Sequence, residues 1–351
     1  MSGEQIVLAG DVGGTNARLA IVELQGRSAR FVHQNRYPSG EYPGLAPIVR
    51  RFLEETGTRP DRACLAIACP VVGDDCTAPN LPWTVNARAL AAEIEIPRTA
   101  IINDFVAVGY GVELLTPTDL VTLQEGSPEP RGPIALIGAG TGLGEGFLIW
   151  QDDHYRVLAS EGGHTDFAPS GELQIGLLRS LREQLGRVSW ERLLSGPGIV
   201  NIYRYLLESG VAPEQASVRA ELDAEDDAAV IVRHGLDRKD CLSVKALELF
   251  WEALGAEAGN LALTIVATGG VYVAGGIVPR IAQQLDSGPF VTAFRNKGRL
   301  APLLARIPVH VIMHPGVGML GAAAVAGRMD PTGESPEPGV SVTPDFTRND
   351  R

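Results

Sequence analysis

The sequence has few cysteines, little positive charge and no long apolar run, and each shortage excludes a class of protein. Its four cysteines include no pair at the two-residue spacing of zinc sites or dithiol motifs. We expect them all to be small buried residues in a reducing cytoplasm: Cys64, Cys69, Cys76 and Cys241. The formal net charge of −12 argues against a surface for nucleic acid or an anionic membrane.

The apolar runs are too short to cross a bilayer, and the chain opens without the features of a secretory signal. The run at 261–275 is interrupted by Gly and Thr, whereas a spanning helix needs about 20 apolar residues. The opening MSGEQIVLAG has no basic start followed by a long apolar stretch. We therefore expect a cytoplasmic protein.

The length of 351 residues exceeds what one hydrophobic core usually serves, so two domains are expected. A long helix is predicted within 243–270, begun by Ser243 and ended by Gly269–Gly270. The acidic stretch 209–227 predicts a solvated surface excursion. The final residues, 330–351, are rich in Pro, Ser and Asp and predict a disordered tail.

Each half of the chain begins with a strand, a glycine-rich turn and a second strand. In the first half, QIVLAGDVGGTNARLAIVEL predicts strands at 5–9 and 17–24. In the second half, IALIGAGTGLGEGFLIWQ at 134–151 repeats this pattern. The first half continues with a third strand and then alternates helix and strand. This order predicts a mixed sheet with helices on its faces, and the repeated opening indicates duplicated architecture.

The first turn, GDVGGTNAR at 10–18, has two interpretations. It fits neither the P-loop nor the dinucleotide pattern, because no helix follows at once. It is either a hairpin whose glycines supply positive φ angles, or a phosphate loop. In the second case, N–H groups at Gly13 and Gly14 and the hydroxyl of Thr15 bind an anion. Asp11 then holds Mg²⁺ through water.

Two later glycine elements favour the phosphate interpretation. The turn GAGTGLGEG at 138–146 combines glycines with Thr141 at the start of the second half. Two such turns facing each other would hold both ends of a polyphosphate chain. In VAGGIVPR at 273–280, Gly275 and Gly276 either make room for a flat adenine ring or simply lead into a helix.

Several polar residues are candidates for sugar recognition, which uses a few placed hydrogen-bonding groups. Asn103 and Asp104 interrupt the apolar stretch AIINDFVAV, where a buried acid without a partner is costly. Capping of the next helix is the ordinary explanation for this pair. His164 in SEGGHTD and Glu191 in SWERLLSGPG also have ordinary explanations, as a structural histidine and a helix-surface acid. Glu161 precedes two glycines, which is unusual for a merely solvated acid.

The order of these motifs resembles the sugar kinases of the actin-like ATPase superfamily. INDF, SEGGHTDFAP and ERLLSGPGIVNIYR more narrowly resemble the bacterial ATP-dependent glucokinase family, over residues 5–327. The resemblance implies a two-domain α/β fold of the actin-like ATPase (ribonuclease H-like) type, with mixed sheets flanked by helices and a cleft between the domains. We place the smaller domain at 1–114 with 315–329, and the larger at 115–314.

The same resemblance implies the ligands and the role of each candidate residue. Glucose, ATP and Mg²⁺ are the expected ligands, and a homodimer the expected assembly. Asn103 and Asp104 would bind hydroxyls near the reacting end of glucose, with Asp104 also the general base. Glu161, His164 and Glu191 would bind hydroxyls toward the anomeric end. The nucleotide would be bound by Gly10, Asp11, Val12, Gly13, Gly14, Thr15, Gly138, Gly140, Thr141, Gly142, Gly275 and Gly276, with Asp11 holding the metal.

Other functions on this fold remain as alternatives. The chain could phosphorylate another hexose or an amino sugar, sense sugar without catalysis, or polymerise as an actin-like ATPase. The related repressor-and-sugar-kinase family carries a cysteine-rich zinc motif after its sugar-binding histidine. No cysteine lies between Cys76 and Cys241, so this chain cannot build that motif.

Overall fold

The structure is a computed structural model that describes residues 5–69, 71–77 and 83–329. The tail predicted to be disordered, 330–351, lies outside the described residues. None of the helices within the described ranges is both long and apolar enough to cross a membrane.

The described residues form strands and helices in alternation. The strands are β1 (Gln5–Val12), β2 (Asn16–Gln25), β3 (Ser28–Pro38), β4 (Arg62–Ile67), β5 (Val71–Val72), β6 (Asp75–Thr77), β7 (Thr84–Asn86), β8 (Arg98–Asn103), β9 (Leu120–Gln124), β10 (Ile134–Ala139), β11 (Leu143–Gln151), β12 (His154–Ser160), β13 (Gly270–Ala274) and β14 (Val309–Ile312). The helices are α1 (Leu45–Thr56), α2 (Ala87–Ile94), α3 (Asp104–Gly111), α4 (Glu172–Leu185), α5 (Gly196–Glu208), α6 (Ala216–Leu222), α7 (Asp227–Leu236), α8 (Cys241–Ile265), α9 (Val278–Gln284), α10 (Gly288–Arg295), α11 (Ala301–Leu304) and α12 (Val317–Arg328).

The chain divides into two compact units. Of the described residues, the first comprises those within 5–117, 151–159 and 314–329, and the second comprises 118–150 and 160–313. The expected division into 1–114 with 315–329 and 115–314 stays a prediction; here the segment 151–159 lies in the first unit. This segment belongs to the first unit because Val157 packs directly against α3. A Cβ added at Gly109 would lie 2.7 Å from Val157 Cγ1.

The first unit is built on a five-stranded sheet in the order β3-β2-β1-β4-β8. The first three strands form an antiparallel meander, whereas β1, β4 and β8 run parallel. Their apolar side chains pack with those of α1 and α2 in one core, which includes Leu8, Val49, Leu65 and Ile101. The parallel strands are therefore apolar along most of their length, as expected for strands buried by helices.

Helix α12 returns to the first unit and packs very closely on α3. A Cβ added at Gly321 would overlap the carbonyl oxygen of Ala107, and one at Gly111 would overlap that of Val317. Glycine at both positions lets the two helix backbones approach each other. The bounds of this helix, Val317–Arg328, lie inside the segment 315–329 that the sequence analysis assigns to the smaller domain.

The cysteine prediction is only partly right. Cys64 is free and buried, but Cys241 is exposed, and Cys69 forms a disulfide with Cys76. Their Cα atoms lie 6.2 Å apart because the chain folds back on itself between them, as β5 pairs antiparallel with β6. This separation falls in the usual range for a disulfide. The seven-residue spacing is not a recognised motif, so the sequence pattern gave no signal.

A six-stranded sheet forms in the order β12-β11-β10-β13-β14-β9. Strands β10, β13 and β14 run parallel, and β10 and β11 form the second hairpin. The core of the second unit includes the buried side chains of Ile137, Ile202, Phe250 and Val273. Both predicted openings, a strand and its hairpin partner around a glycine turn, are therefore confirmed.

The long helix α8 is confirmed, but its ends differ from the prediction. Asp240 caps it, since its Oδ2 accepts the Ser243 N–H at 2.8 Å and the Ser243 hydroxyl at 2.7 Å. The helix ends at Ile265 because Val266 adopts the left-handed conformation at φ 52°, three residues before Gly269. The acidic stretch 209–227 is mostly exposed, as predicted, yet it contains α6.

The contact between α12 and α3 predicts opposite effects for two glycines of the same helix. Gly321→Ala should lower the free energy of unfolding by about 1–3 kcal/mol, because the new Cβ meets fixed backbone. Gly318→Ala should be neutral or stabilising by up to about 1 kcal/mol, because no atom of the described residues lies within 4 Å of a Cβ added there. Guanidinium denaturation of both variants measures the difference. Equal effects would contradict the close helix contact.

Candidate active site

The parallel strands of the first unit bring their polar ends to one edge of the sheet. Val12 pairs with Ile67, and Ile67 pairs with Asn103. The carboxyl ends of β1, β4 and β8 therefore lie side by side. Asp11 is the penultimate residue of β1, and Asp104 follows β8 directly. In open α/β sheets this edge is the usual place for ligands.

Asn103, and not Asp104, caps helix α3. Its Oδ1 accepts the N–H groups of Phe105 at 2.9 Å and Val106 at 3.1 Å. Its Nδ2 donates to the carbonyl of Cys69 at 3.1 Å. The amide is thus held from both ends, and one N–H of Nδ2 is left to donate to a ligand. The capping role considered for Asp104 belongs to its neighbour, which leaves the Asp104 carboxyl for another task.

The carboxyl of Asp104 lies in the first turn of α3, half-buried at this edge. Its Oδ1 accepts the N–H of Phe105 at 2.9 Å. Burial raises the pKa of Asp104, the hydrogen bond from Phe105 opposes the rise, and the charge of Asp11 adds to it. Burial likewise raises the pKa of Asp11, against the attraction of Arg18 on β2. Two coupled acids with raised pKa values at one sheet edge are typical of functional sites.

The first glycine turn does not use its glycines for left-handed conformations. Neither Gly13 nor Gly14 lies in the positive-φ region. The Gly13 N–H donates to Asn16 O at 2.9 Å, and its carbonyl accepts the hydroxyl of Ser39 at 2.9 Å. Gly14 and Thr15 are exposed at the tip. The hairpin interpretation based on positive φ therefore fails, while small exposed residues at the tip fit a turn that lets a ligand approach.

Gly10 and Val12 lie in a different environment from the tip. Val12 is buried in the core, and the space for a side chain at Gly10 is filled by Leu65 and Leu19. The absence of a side chain at Gly10 is thus required by packing within the sheet.

In the second unit, three sugar-site candidates come together. Glu161 precedes the single 3₁₀ turn Gly162–His164, and Glu191 lies in the turn Trp190–Arg192. His164 Nε2 lies 4.0 Å from Glu161 Oε2, and His164 Nδ1 lies 4.0 Å from Glu191 Oε1. The N–H of Trp190 donates to the carbonyl of Thr165 at 3.1 Å and joins the two turns. These residues form an exposed, mostly acidic cluster suited to binding several hydroxyls.

The second glycine turn adjoins this cluster. Glu191 Oε2 accepts the N–H of Leu143 at 3.0 Å. A Cβ added at Gly142 would lie 2.6 Å from the same oxygen, so a larger residue there would require the Glu191 side chain to move. At Gly140 nothing lies within 4 Å of an added Cβ, and its carbonyl accepts the N–H of Gly196 at the start of α5. The turn therefore presents open backbone on one side and an acid on the other.

The third glycine element has two distinct glycines. Gly275 has φ +106°, and a Cβ there would overlap the backbone of Ala139 at the end of β10. Gly276 faces open space, and α9 begins at Val278. Gly275 thus serves close packing of β13 on β10, and the predicted helix entry is confirmed. Gly276 alone leaves the room that a flat ring requires.

Sequence reasoning missed a buried carboxyl pair beneath the acidic cluster. Glu145 on β11 is 2% exposed, and Glu257 on α8 is 4% exposed. Burial and the charge of Glu257 raise the pKa of Glu145 to about 8, and burial raises that of Glu257 to about 7. An acid inside LGEGFLIW is as unexpected in a strand as Asp104, so the same signal was available in the sequence.

A second missed residue fastens the turn that carries His164. Arg187 Nη2 donates to the carbonyl of His164 at 2.6 Å, and its Nε donates to Asp166 Oδ1 at 2.7 Å. No periodicity marks this arginine, because its role depends on which turn the fold brings beside it.

No group of three or more His, Cys, Asp or Glu side chains in the described ranges could hold a metal ion by itself. Asp11 and the nearby Asp104 could supply two carboxylate ligands. Mg²⁺ keeps several waters and commonly uses one or two carboxylates together with substrate phosphates. The residues present therefore fit a magnesium ion delivered with a nucleotide and do not fit a resident ion.

Comparison with known proteins gives a consistent result. The glucokinase family profile matches residues 8–329. The glucokinase of Nostoc sp. (strain PCC 7120 / SAG 25.82 / UTEX 2576) is 45% identical over 340 residues, covering 92% of this chain and 99% of that protein. Among solved structures, glucokinase from an Antarctic psychrotroph has a TM-score of 0.82 and 30% identity, covering 92% of this chain and 98% of the other.

A more distant structure shares the fold. Glucokinase from Balamuthia mandrillaris, solved in complex with glucose, has a TM-score of 0.74 at 21% identity and covers 92% of this chain and 94% of its own. Together with the two glycine hairpins and their neighbouring acids, these likenesses define the class, an ATP-dependent hexose kinase of the predicted two-domain α/β fold. Within this class, the chain belongs to the glucokinase family.

The buried acids predict a specific dependence of stability on pH. In the folded protein Glu145 holds its proton up to about pH 8, whereas in the unfolded chain it ionises near 4.5. The folded state then binds one more proton between these values, so its stability falls as pH rises through this window. Glu145→Gln should make the fall between pH 5.5 and 7 shallower by about 1.4 kcal/mol per pH unit.

The measurement is urea denaturation of both proteins at several pH values. Glu183→Gln, at an exposed position on α4, is the control and should leave the slope unchanged. A Glu145→Gln slope equal to the wild-type slope would show that Glu145 is ionised in the folded protein.

Proposed function

We propose that this protein transfers the γ-phosphoryl group of ATP to the 6-hydroxyl of glucose, giving glucose 6-phosphate and ADP. The observation that carries the proposal is the carboxyl of Asp104, half-buried beside Asp11 at the carboxyl edge of the first sheet. Membership of the glucokinase family supports glucose as the sugar.

Asp104 is the proposed general base. Its carboxylate accepts the proton of the 6-hydroxyl as that oxygen attacks the γ-phosphorus. Burial and the Asp11 charge raise its pKa and so make it a better proton acceptor once ionised. The N–H of Phe105 and the capped end of α3 hold the carboxyl in place. Asn103 donates its remaining Nδ2 proton to a neighbouring hydroxyl.

The acidic cluster of the second unit is proposed to bind the sugar toward its anomeric end. Glu161 and Glu191 carry oxygens that accept from hydroxyls, and His164 between them offers a ring nitrogen to a third. One oxygen of Glu191 is occupied by the N–H of Leu143, so the other is the one that binds sugar. This arrangement gives several hydrogen bonds from two joined turns, which favours a polyhydroxyl ligand.

The glycine turns are proposed to bind the nucleotide. At the exposed tip, Gly14 and Thr15 supply N–H and hydroxyl donors for phosphate oxygens, and Gly13 beside them lets the ligand approach the backbone. In the second unit Gly140 leaves the turn open to the phosphates and Thr141 offers a hydroxyl, and Gly276 leaves space for the adenine. Asp11 is proposed to hold Mg²⁺ through water, and the ion when bound neutralises charge on the transferred phosphoryl group. The other expectations, a cytoplasmic homodimer acting in glycolysis, belong to the same proposal.

Replacement of Asp104 tests the base. Asp104→Asn should lower kcat about 10²–10⁴-fold, because it removes proton acceptance while keeping the size of the side chain. The dissociation constant for glucose should change little. A coupled assay gives kcat, and calorimetry gives glucose binding. Asp153→Asn, an exposed position of the same unit, should behave as wild type. A variant with near-normal kcat would refute the role of Asp104.

The same assay decides the sugar. Turnover on mannose or N-acetylglucosamine that exceeds turnover on glucose would refute glucose as the substrate. Glucose binding without any turnover in the wild-type protein would favour a sensor.

The coupling between the two acids of the first unit predicts a pH effect. Asp11→Asn removes a negative charge near Asp104 and should lower the pKa of that group. The fall of kcat/KM for glucose at acid pH should therefore move to lower pH, while the Mg²⁺ concentration needed for half-maximal rate rises. Steady-state kinetics across pH and Mg²⁺ concentration measure both effects. A shift of the acid limb to higher pH would contradict the coupling.

A further inference from the structure

The turn that carries Glu161 and His164 rests directly on strand β11. A Cβ added at Gly162 would overlap Glu145 Oε2, and one at Gly163 would overlap the carbonyl oxygen of Leu143. The two glycines therefore let the backbone of the turn contact the strand without intervening side chains. At Gly162 the supporting group is the carboxyl of Glu145.

The cost of burying the Glu145 carboxyl is not offset by a hydrogen bond at Oε1 within the described residues. The side chain is 2% exposed, and its Oε1 atom is buried with no hydrogen-bond partner among the described residues. On β11 it lies opposite Ile137 of β10. A charged carboxylate in such surroundings is costly, so the group stays protonated at neutral pH. In this form its contact with the Gly162 backbone is one between neutral groups.

Its neighbour Glu257 does have groups that offset the cost of burying its charge, so the two acids differ in how readily they ionise. Glu257 Oε2 accepts the Nδ2–H of Asn260 at 2.7 Å. Lys297 Nζ donates to Asn260 Oδ1 at 2.6 Å and to the carbonyl of Ala256 at 2.8 Å. The attraction of Lys297 also opposes the rise in the pKa of Glu257. Glu257 therefore ionises first as pH rises, and its charge then acts on Glu145.

Titratable groups of the acidic cluster also lie on the elements that contact β11. Glu161 and His164 are carried by the turn above it, and Glu191 is joined to β11 through Leu143. Lys297 carries a positive charge near the pair, but its Nζ donates hydrogen bonds to residues of α8. Ionisation of Glu145 would therefore add a negative charge beside that of Glu257.

The turn is the part that can yield. Strand β11 and helix α8 are fixed within the core of the second unit, whereas Glu161, His164 and Thr165 are exposed. Water can reach an ionised Glu145 most readily if the Gly162 backbone moves away from it. Such a movement would displace the two side chains that the turn carries.

We propose that Glu145 is a positioning residue whose neutral carboxyl supports the Gly162 turn and so holds Glu161 and His164 in place for glucose, and whose ionisation weakens glucose binding. This inference rests on the proposed role of these two residues as sugar ligands. It adds a dependence of glucose affinity on pH that arises from a residue outside the proposed base and sugar ligands.

The test measures the glucose KM and kcat at saturating ATP and Mg²⁺ from pH 6 to 9, together with glucose affinity by calorimetry without nucleotide. In the wild-type protein, KM should be nearly constant up to about pH 7 and rise about tenfold by pH 9, because the ionised form binds poorly. Over this range kcat should change much less. Other effects of pH on glucose binding are shared by all variants, so the ratio of wild-type to variant KM isolates Glu145.

Two variants separate positioning from a merely structural role. Glu145→Gln cannot ionise and should keep a KM within about threefold of wild type at pH 7, without the rise at alkaline pH. Glu257→Gln removes a neighbouring negative charge, so Glu145 should ionise at lower pH and the rise in KM should begin earlier. This second variant keeps the test decisive if Glu145→Gln does not fold, a point that circular dichroism checks.

The outcomes distinguish a failure of the proposed function from a failure of this inference alone. Absence of both glucose turnover and glucose binding in the wild-type protein would refute the proposed function and this inference with it. Normal turnover with parallel KM profiles for wild type and Glu145→Gln would overturn only the inference. A rise in KM that moves to higher pH in Glu257→Gln would overturn it as well.

Discussion

The parallel pairing of β1, β4 and β8 is the constraint on which the first unit depends. Parallel strands end at the same edge, so the register that joins Val12 to Ile67 and Ile67 to Asn103 also brings Asp11 and Asp104 to one place. Neither acid needs to be near the other in sequence. Helices α3 and α12, held together through glycine contacts, pack on this sheet and keep the end of β8 fixed.

The acids with raised pKa values lie at or beside the candidate active-site residues. The acids of the first unit have raised pKa values because burial is only partly offset by Arg18 and by the N–H of Phe105. In the second unit, Glu161 and Glu191 stay accessible to water, while Glu145 lies beneath them with a pKa raised to about 8. The exposed acids suit hydroxyl binding, and the buried ones suit proton transfer or support.

Some features could be predicted from the sequence because they depend on local pattern. The two hairpins follow from apolar alternation around glycines, and α12 follows from an uninterrupted run of small and apolar residues. The three acidic-cluster residues were identified through motif resemblance, and the structure brings them within 4.0 Å of one another in pairs. Their individual roles remain predictions, because proximity does not specify which hydroxyl each would bind.

Other features depend on tertiary contacts that no local pattern contains. The Cys69–Cys76 disulfide follows from how β5 and β6 pair. Arg187 matters because the fold places its guanidinium beside the carbonyl of His164. The end of α8 illustrates the limit of composition rules, since Val266 takes the left-handed conformation although two glycines stand close by.

The exchange of roles between Asn103 and Asp104 shows why the capping argument could not settle the site. Both residue types are good N-caps, so the sequence allowed either to satisfy the N–H groups of α3. The chain direction decides, because Asn103 ends β8 and Asp104 already has helical geometry. An amide at the cap satisfies two N–H groups without adding charge next to Asp11. The carboxyl one residue later is thereby free to act as an acid or base at the sheet edge. An exchanged order, Asp then Asn, would fix the charge in the cap and leave an amide, which cannot accept a proton, at the reacting position.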